Sequence, residues 1–416
     1  MRKPMQKISI GTATAALIAM AGMSVACAGD QDFSQIEKGR YLATASDCVS
    51  CHTVPGSGKP FAGGRPIETP FGNITSANIT PDNDTGIGAW TEAQFNNAVR
   101  NGIRPDGSRL YPAMPFTAYT KMSRKDVSAI RAYLMSIDAV HNRVKSNTLP
   151  FPFNIRAAMR IWDALYFTKG KFKPDPQKSA ELNRGAFLVE GPGHCAACHT
   201  PKSFLGGDKS SEYLQGSQLQ GWVTPNITDD KTSGLGTWSA DDIATYLSTG
   251  HNRITAATGP MAEEVENSSS KMTDGDLKAI AAYLKSVPGN SGDTQPIKAD
   301  DPVMVAGQAI FHDQCSACHS IDGKGVAQLF PSLADSAMLR SRDPRSAIRL
   351  VLRGARSAST DKEPTAPGMP SFGRQLNDDQ VAAVLTYARN AWGRPASAVT
   401  AADVSSARRQ LRARTD

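Results

Sequence analysis

The sequence predicts a mostly α-helical chain of three tandem domains joined by long irregular loops, and three observations carry that prediction. The run Cys-x-x-Cys-His occurs three times, at Cys48/Cys51/His52, Cys195/Cys198/His199 and Cys315/Cys318/His319. Each copy follows a short helical pattern with a glycine and an aromatic residue (Gly39 with Tyr41, Gly185 with Phe187, Gly307 with Phe311) and precedes a second helix with an interior tyrosine (Tyr133, Tyr283, Tyr387). The loops around the first two copies are duplicated. At 416 residues the chain is too long for one core, and three motifs make three domains the better count.

The chain opens on a leader. Arg2, Lys3 and Lys7 precede an apolar stretch over 8–25 and small residues over 26–29, which reads as a signal peptide over 1–28. Cleavage after Ala28 is favoured over lipid attachment at Cys27, because Ser24 stands where a lipid signal prefers Leu. Gly11, Thr12 and Thr14 argue against an uncleaved membrane span. Export would put the remaining thiols in an oxidising compartment, where they pair unless something occupies them. The formal charge of +7 falls to +4 once Arg2, Lys3 and Lys7 leave, and no nucleic-acid partner is indicated.

The motif explains the thiols. Two cysteines three apart reach the two vinyl groups of one haem, and the following histidine presents its imidazole to the iron, the c-type attachment sequence. A zinc ribbon or a thioredoxin-like pair has no role for that histidine. The three motifs use every cysteine but Cys27. They point to three haems c held covalently by Cys48, Cys51, Cys195, Cys198, Cys315 and Cys318, with His52, His199 and His319 on the iron. The three units are therefore expected to be cytochrome c-type haem domains.

Domain one is expected over 29–142, a linker with an amphipathic helix over 143–177, domain two over 178–288, a polar hinge over 289–301 and domain three over 302–398. A basic tail over 399–416 carries Arg408, Arg409, Arg412 and Arg414 and reads as a solvated helix or a free end. The duplication is detailed. Asn78-Ile79-Thr80 lies 30 residues past Cys48, and Asn226-Ile227-Thr228 lies 31 past Cys195; Gly86-Ile87-Gly88 with Trp90 matches Gly234-Leu235-Gly236 with Trp238. The closing helices start at Ser123, Thr273 and Asn377, each followed three residues later by Asp126, Asp276 or Gln380, a capping-box pattern. Gly39, Gly185 and Gly307 would let the closing helix cross at short range, the tyrosine filling the angle. In the linker, Ile155, Met159, Trp162 and Tyr166 recur at helical spacing, with Arg156, Arg160 and Asp163 off that stripe. Such a stripe suits either a membrane interface or a seat between domains, and the seat is favoured.

A haem iron held by one histidine needs a second axial ligand to serve as a low-spin electron carrier. Met114 lies 62 residues after His52, Met261 lies 62 after His199, and Met369 lies 50 after His319. All three stand among helix breakers, in Tyr111-Pro112-Ala113-Met114-Pro115, Gly259-Pro260-Met261 and Pro367-Gly368-Met369-Pro370, and are expected in loops. Met122 and Met272 also recur, but the third repeat has Leu376 there, so that position wants an apolar residue against the cap. His141, His194, His251 and His312 recur at no matching offset and are read as surface or supporting residues.

Five stretches go beyond haem motifs: Asp47-Cys48-Val49-Ser50-Cys51-His52-Thr53, Lys59-Pro60-Phe61-Ala62-Gly63-Gly64, Asn78-Ile79-Thr80-Pro81-Asp82, Leu110-Tyr111-Pro112-Ala113-Met114-Pro115 and Gly191-Pro192-Gly193-His194-Cys195. On these the chain resembles the three-haem cytochrome c subunits of membrane-bound periplasmic dehydrogenases acting on alcohols, gluconate, sorbitol and aldehydes. The resemblance implies a separate catalytic subunit carrying flavin or PQQ, with or without a small third subunit. It also implies electron delivery to ubiquinone or the respiratory chain, at the periplasmic side of the bacterial cytoplasmic membrane, with the membrane surface as a further partner. It names no substrate.

No catalytic residues of the chain's own are expected: Gly56-Ser57-Gly58-Lys59 lacks the length and hydroxyl of a phosphate loop, and no dinucleotide fingerprint follows a strand. A free-standing carrier or an oxidase subunit is the alternative. A haem peroxidase is disfavoured by the three matched methionines.

Overall fold

Three repeats of one helical plan follow one another in a computed structural model that describes Met1 and residues 33–289, 295–393 and 395–412. The expected leader with Cys27, the centre of the hinge and the last four residues lie outside the described residues. In the first repeat α1 (Phe33–Ala45) runs into the motif helix α2 (Cys48–His52). The hairpin β1 (Pro66–Thr69) and β2 (Gly72–Thr75) follows, then α3 (Glu92–Asn101), α4 (Phe116–Tyr119) and α5 (Arg124–Leu134). The linker holds α6 (Met159–Tyr166). The second repeat has α7 (Ala180–Glu190), motif helix α8 (Ala196–His199), the hairpin β3 (Ser217–Leu219) and β4 (Trp222–Thr224), α9 (Ala240–Thr249), α10 (Pro260–Asn267) and α11 (Asp274–Ser286). The third has α12 (Pro302–Gln314), motif helix α13 (Ser316–His319), α14 (Ala337–Arg340), α15 (Arg345–Arg353), the short pair β5 (Ala355–Arg356) and β6 (Gly368–Met369), α16 (Asp378–Asn390) and α17 (Ala401–Arg412). All three strand pairs are antiparallel.

Glycine sets the crossing of opening on closing helix in every repeat. A Cβ on Gly39 would lie 1.9 Å from the Ala129 carbonyl oxygen, on Gly185 1.9 Å from that of Ala279, and on Gly307 2.2 Å from that of Ala383. Tyr133, Tyr283 and Tyr387 close the same contacts with their Cβ atoms at 3.0, 2.8 and 2.7 Å. Any side chain at these glycines would force the helices apart.

Each repeat has its own apolar core, and Met122, Met272 and Leu376 are buried in the three of them, just ahead of the closing helix. Reciprocal capping boxes form at Ser123/Asp126 and Asn377/Gln380. At Thr273 only half the box forms, because the Asp276 carboxylate is taken by Arg184 and Tyr41. The first two cores exchange aromatics: Tyr41 from α1 packs against the second core, and Phe187 from α7 packs against the first.

One expectation changes and another holds in part. The tail helix is not a free end: Val404, Ala407 and Leu411 of α17 are buried in the third core and Arg408 binds Asp378 and the Leu376 carbonyl, while Arg409 and Arg412 face solvent. These apolar residues fall at i, i+3 and i+7, a stripe that the arginine count masks. In the linker the favoured seat holds for Trp162 and Tyr166, while Ile155 at the start of the stripe is 44% exposed. Trp162 is buried, donating from Nε1 to the Leu205 carbonyl (2.9 Å) and lying edge-on to Phe116, while Tyr166 covers Gly207. Ile161 and Leu165 of the same helix face outward, 68% and 61% exposed. No helix among the described residues is long and apolar enough to cross a membrane.

Candidate haem sites

The motif histidines share one setting. Nδ1 of His52 lies 2.7 Å from the Ala77 carbonyl oxygen, Nδ1 of His199 lies 2.8 Å from that of Pro225, and Nδ1 of His319 lies 3.0 Å from that of Pro331. A carbonyl only accepts, so Nδ1 carries the proton and Nε2 keeps its lone pair for a metal. Burial holds all three imidazoles below the ordinary histidine pKa and therefore neutral, the form that ligates. Three copies of a neutral, oriented imidazole beside two free thiols fit haem c.

The duplicated Asn-Ile-Thr explains how the first two carbonyls are aimed. Asn78 Oδ1 accepts from the Thr80 N–H and hydroxyl at 2.9 and 2.8 Å, and Asn226 does the same for Thr228 at 2.9 and 2.7 Å. Each asparagine follows the residue whose carbonyl meets the histidine, so the turn it closes fixes that carbonyl. Sequence reasoning found this repeat without finding its purpose. The signal was present in its fixed offset from the motif.

Burial pushes the thiols of Cys48, Cys51 and Cys195 to about 12 and those of Cys198 and Cys315 to about 11. Met114 joins the apolar cluster that contains Cys48, and Met369 on β6 joins the one that contains Cys315. Met261 differs. It lies in the first turn of α10 rather than in a loop, and it packs with Ala257, Ala262, Val265 and Ala358, next to the second core through Tyr246. Proline is tolerated in the first helical turn, so Gly259-Pro260 starts a helix here instead of preventing one.

The first two motifs face each other. The Ser46 carbonyl, two residues before Cys48, accepts from the Tyr119 hydroxyl at 2.7 Å and meets His194 Nε2 at 3.3 Å, with the Tyr119 and His194 rings 5.6 Å apart. Asp47 and Glu264 lie half-buried along this seam, and burial raises their carboxyls to about 8 and about 7. The third repeat meets the second elsewhere: Ala358 donates to the Ala257 carbonyl, Ser346 binds both backbone groups of Val223, and Arg349 stacks on Trp222 at 4.5 Å. Its motif stays open, with Cys318, Ile321, Val326 and Leu329 exposed.

The remaining histidines divide. His141 and His312 are exposed. His251 is buried, its Nδ1 3.3 Å from the Thr249 carbonyl and its Nε2 without a hydrogen-bond partner among the described residues.

The cytochrome c family model matches three regions, residues 36–138, 183–288 and 304–392, one around each motif. The chain is 42% identical to the gluconate 2-dehydrogenase cytochrome c subunit of Pantoea cypripedii, over 90% of this chain and 89% of that protein. It is 37% identical to the cytochrome c subunit of a quinone-type alcohol dehydrogenase of Gluconacetobacter polyoxogenes, over 97% and 90%, and 37% identical to the fructose dehydrogenase cytochrome subunit of Gluconobacter japonicus, over 90% and 82%. Three matched regions with one attachment motif each make the cofactor haem c, three per chain and covalently bound. The chain belongs to the cytochrome c family and, within it, to the cytochrome c subunits of the gluconate, alcohol and fructose dehydrogenase type.

Proposed function

We propose that this chain is the electron-transfer subunit of a membrane-associated periplasmic dehydrogenase. It takes electrons from a separate catalytic subunit carrying flavin or PQQ and delivers them to ubiquinone or the respiratory chain. The observation that carries the reading is the identical histidine setting in all three repeats, on a scaffold whose repeats are docked together. In this reading the six motif cysteines would hold the haems, His52, His199 and His319 would each give an imidazole to an iron, and Met114, Met261 and Met369 would each give a thioether. When bound, the haems would supply one-electron exchange, and a thioether ligand would favour the reduced state.

The protein residues set geometry and surroundings. The seam at Ser46, Tyr119 and His194 holds the first two sites motif to motif, and the contacts around Ala358 bring the Met261 segment beside the strand pair of Met369. These contacts support a reading in which the second site lies between the other two. The open third motif, with its exposed Ile321, Val326 and Leu329, offers a docking edge for the catalytic subunit. The outward side of α6 with the Phe204-Leu205 tip supplies the membrane contact: Phe151, Ile155, Ile161, Leu165, Phe204 and Leu205 are exposed, and Arg160, Lys169, Lys171 and Lys173 flank them. The domain bounds and the cleaved leader over 1–28 belong to the same proposal.

Purification of the natural protein from detergent-solubilised membranes tests it. A flavin- or PQQ-containing subunit should co-purify, and its sugar or alcohol substrate should reduce all three haems. Recovery of this chain alone, its haems unreduced by such substrates in the extract, would count against the complex.

A further inference from the structure

Met261 lacks what its two counterparts have. Pro115 and Pro370 follow Met114 and Met369 and restrict the chain there, whereas Ala262 follows Met261. The helix that carries it, α10, has only eight residues, too few to be stable without tertiary support. That support comes from a different repeat. Glu263 receives both forks of Arg65, with Nη2 to Oε2 at 2.9 Å, and Asn267, one turn later, donates to the Ser50 hydroxyl at 2.9 Å. Arg65 also donates to the Ser50 carbonyl, and Ser50 lies between Cys48 and Cys51 of the first motif. From the third repeat, the Ser359 N–H donates to Glu266 at 2.8 Å. The inner side of α10, Ala262 and Val265, is buried.

We propose that Arg65 and Ser50 of the first repeat are positioning residues for Met261, clamping α10 so that the second haem gains its sixth ligand only when the first repeat is docked against it. This rests on the reading of Met261 as that ligand. A two-pronged arginine–carboxylate pair is both charge-assisted and directional, and at 22% and 31% side-chain exposure it is partly shielded from water. Glu263 stands two residues from Met261, so slippage of the pair turns the first helical turn and carries the sulfur with it. The clamp thus does at the second site what proline does at the other two. It also links the attachment loop of one haem to the axial ligand of the next.

The test uses the full-length holoprotein and reads the sulfur-to-iron absorption band and the potential of each haem. Met261→Ala first defines the share of the band that belongs to the second site, about one third of the total. Arg65→Gln and Glu263→Gln should each remove at least half of that share and lower the second haem's potential, and the reversed pair R65E/E263R should restore both. Glu263→Gln and the reversed pair carry the test should Arg65→Gln fail to accumulate. A full band in both single variants, with Met261→Ala losing its share, would overturn the clamp alone. A full band in Met261→Ala would remove the ligand assignment and the clamp with it.

Discussion

The phenol of Tyr41 in the first repeat accepts the backbone N–H of Thr273 at 3.3 Å and donates to the Asp276 carboxylate in the second. It stands where the returning carboxylate of a capping box would stand, so one repeat finishes the N-terminus of the other's closing helix. Arg184 holds the same carboxylate at 2.7 Å through two nitrogens. Tyr41→Phe should lower stability by about 1–2 kcal/mol in urea unfolding, the scale of a lost cap bond. An equal loss in Tyr41→Phe made on an Asp276→Asn background would show the two residues uncoupled.

The helix crossings give the steepest expected losses. Gly185→Ala places a methyl carbon inside the Ala279 carbonyl, where only backbone movement can make room. The cost should reach at least about 1–3 kcal/mol, and the same holds for Gly39→Ala and Gly307→Ala. Gly275→Ala, on the open side of α11 with nothing near its Cβ, should be neutral or stabilising. Thermal unfolding of the four variants checks the ranking.

Stability should fall as pH rises through neutrality. Asp47 and Glu264 ionise near their ordinary values in the unfolded chain but keep their protons to about 8 and about 7 when folded, because burial disfavours the charge. Their contribution is intact below the ordinary carboxylate range and is lost as pH climbs through about 7 to 8. The Tm of the holoprotein should drop between pH 5 and pH 9, and Asp47→Asn with Glu264→Gln should flatten that slope. An unchanged slope would place both groups in water.

Replacement of each methionine proposed as an iron ligand should act on one haem. Met114→Ala, Met261→Ala and Met369→Ala should each lower one potential and remove one sulfur-to-iron band, because the thioether favours reduced iron. Redox titration followed at the band reads both. A variant with three intact bands would show its methionine to be a packing residue.

Membrane binding should depend on the outer side of α6 and not on its tryptophan. Phe204→Ser should weaken partitioning onto anionic vesicles roughly tenfold, on ~1.5 kcal/mol of apolar burial, and Ile161→Ser with Leu165→Ser should add to it. Trp162→Ser should instead lower the Tm, since that ring is buried against Phe116 and bonds Leu205. Loss of vesicle binding in Trp162→Ser at unchanged Tm would reverse the assignment of the two sides.

Contiguous residues were enough to reveal the haem attachment points, the threefold repeat, the glycine crossings and the capped closing helices. Each depends on covalent chemistry or on neighbours a few positions apart, and such constraints are written locally. The buried side of α17 and the exposed start of the linker stripe were not legible in this way, since a run of arginines or a row of aromatics does not say which side will be covered. The same holds for Met261, whose Gly-Pro start reads as a breaker until Arg65, 196 positions earlier, is seen to hold the helix that follows. Sequence alone therefore determined what each repeat is and what it binds. Tertiary structure alone decided which faces meet, because that choice rests on shape and charge complementarity between surfaces far apart along the chain.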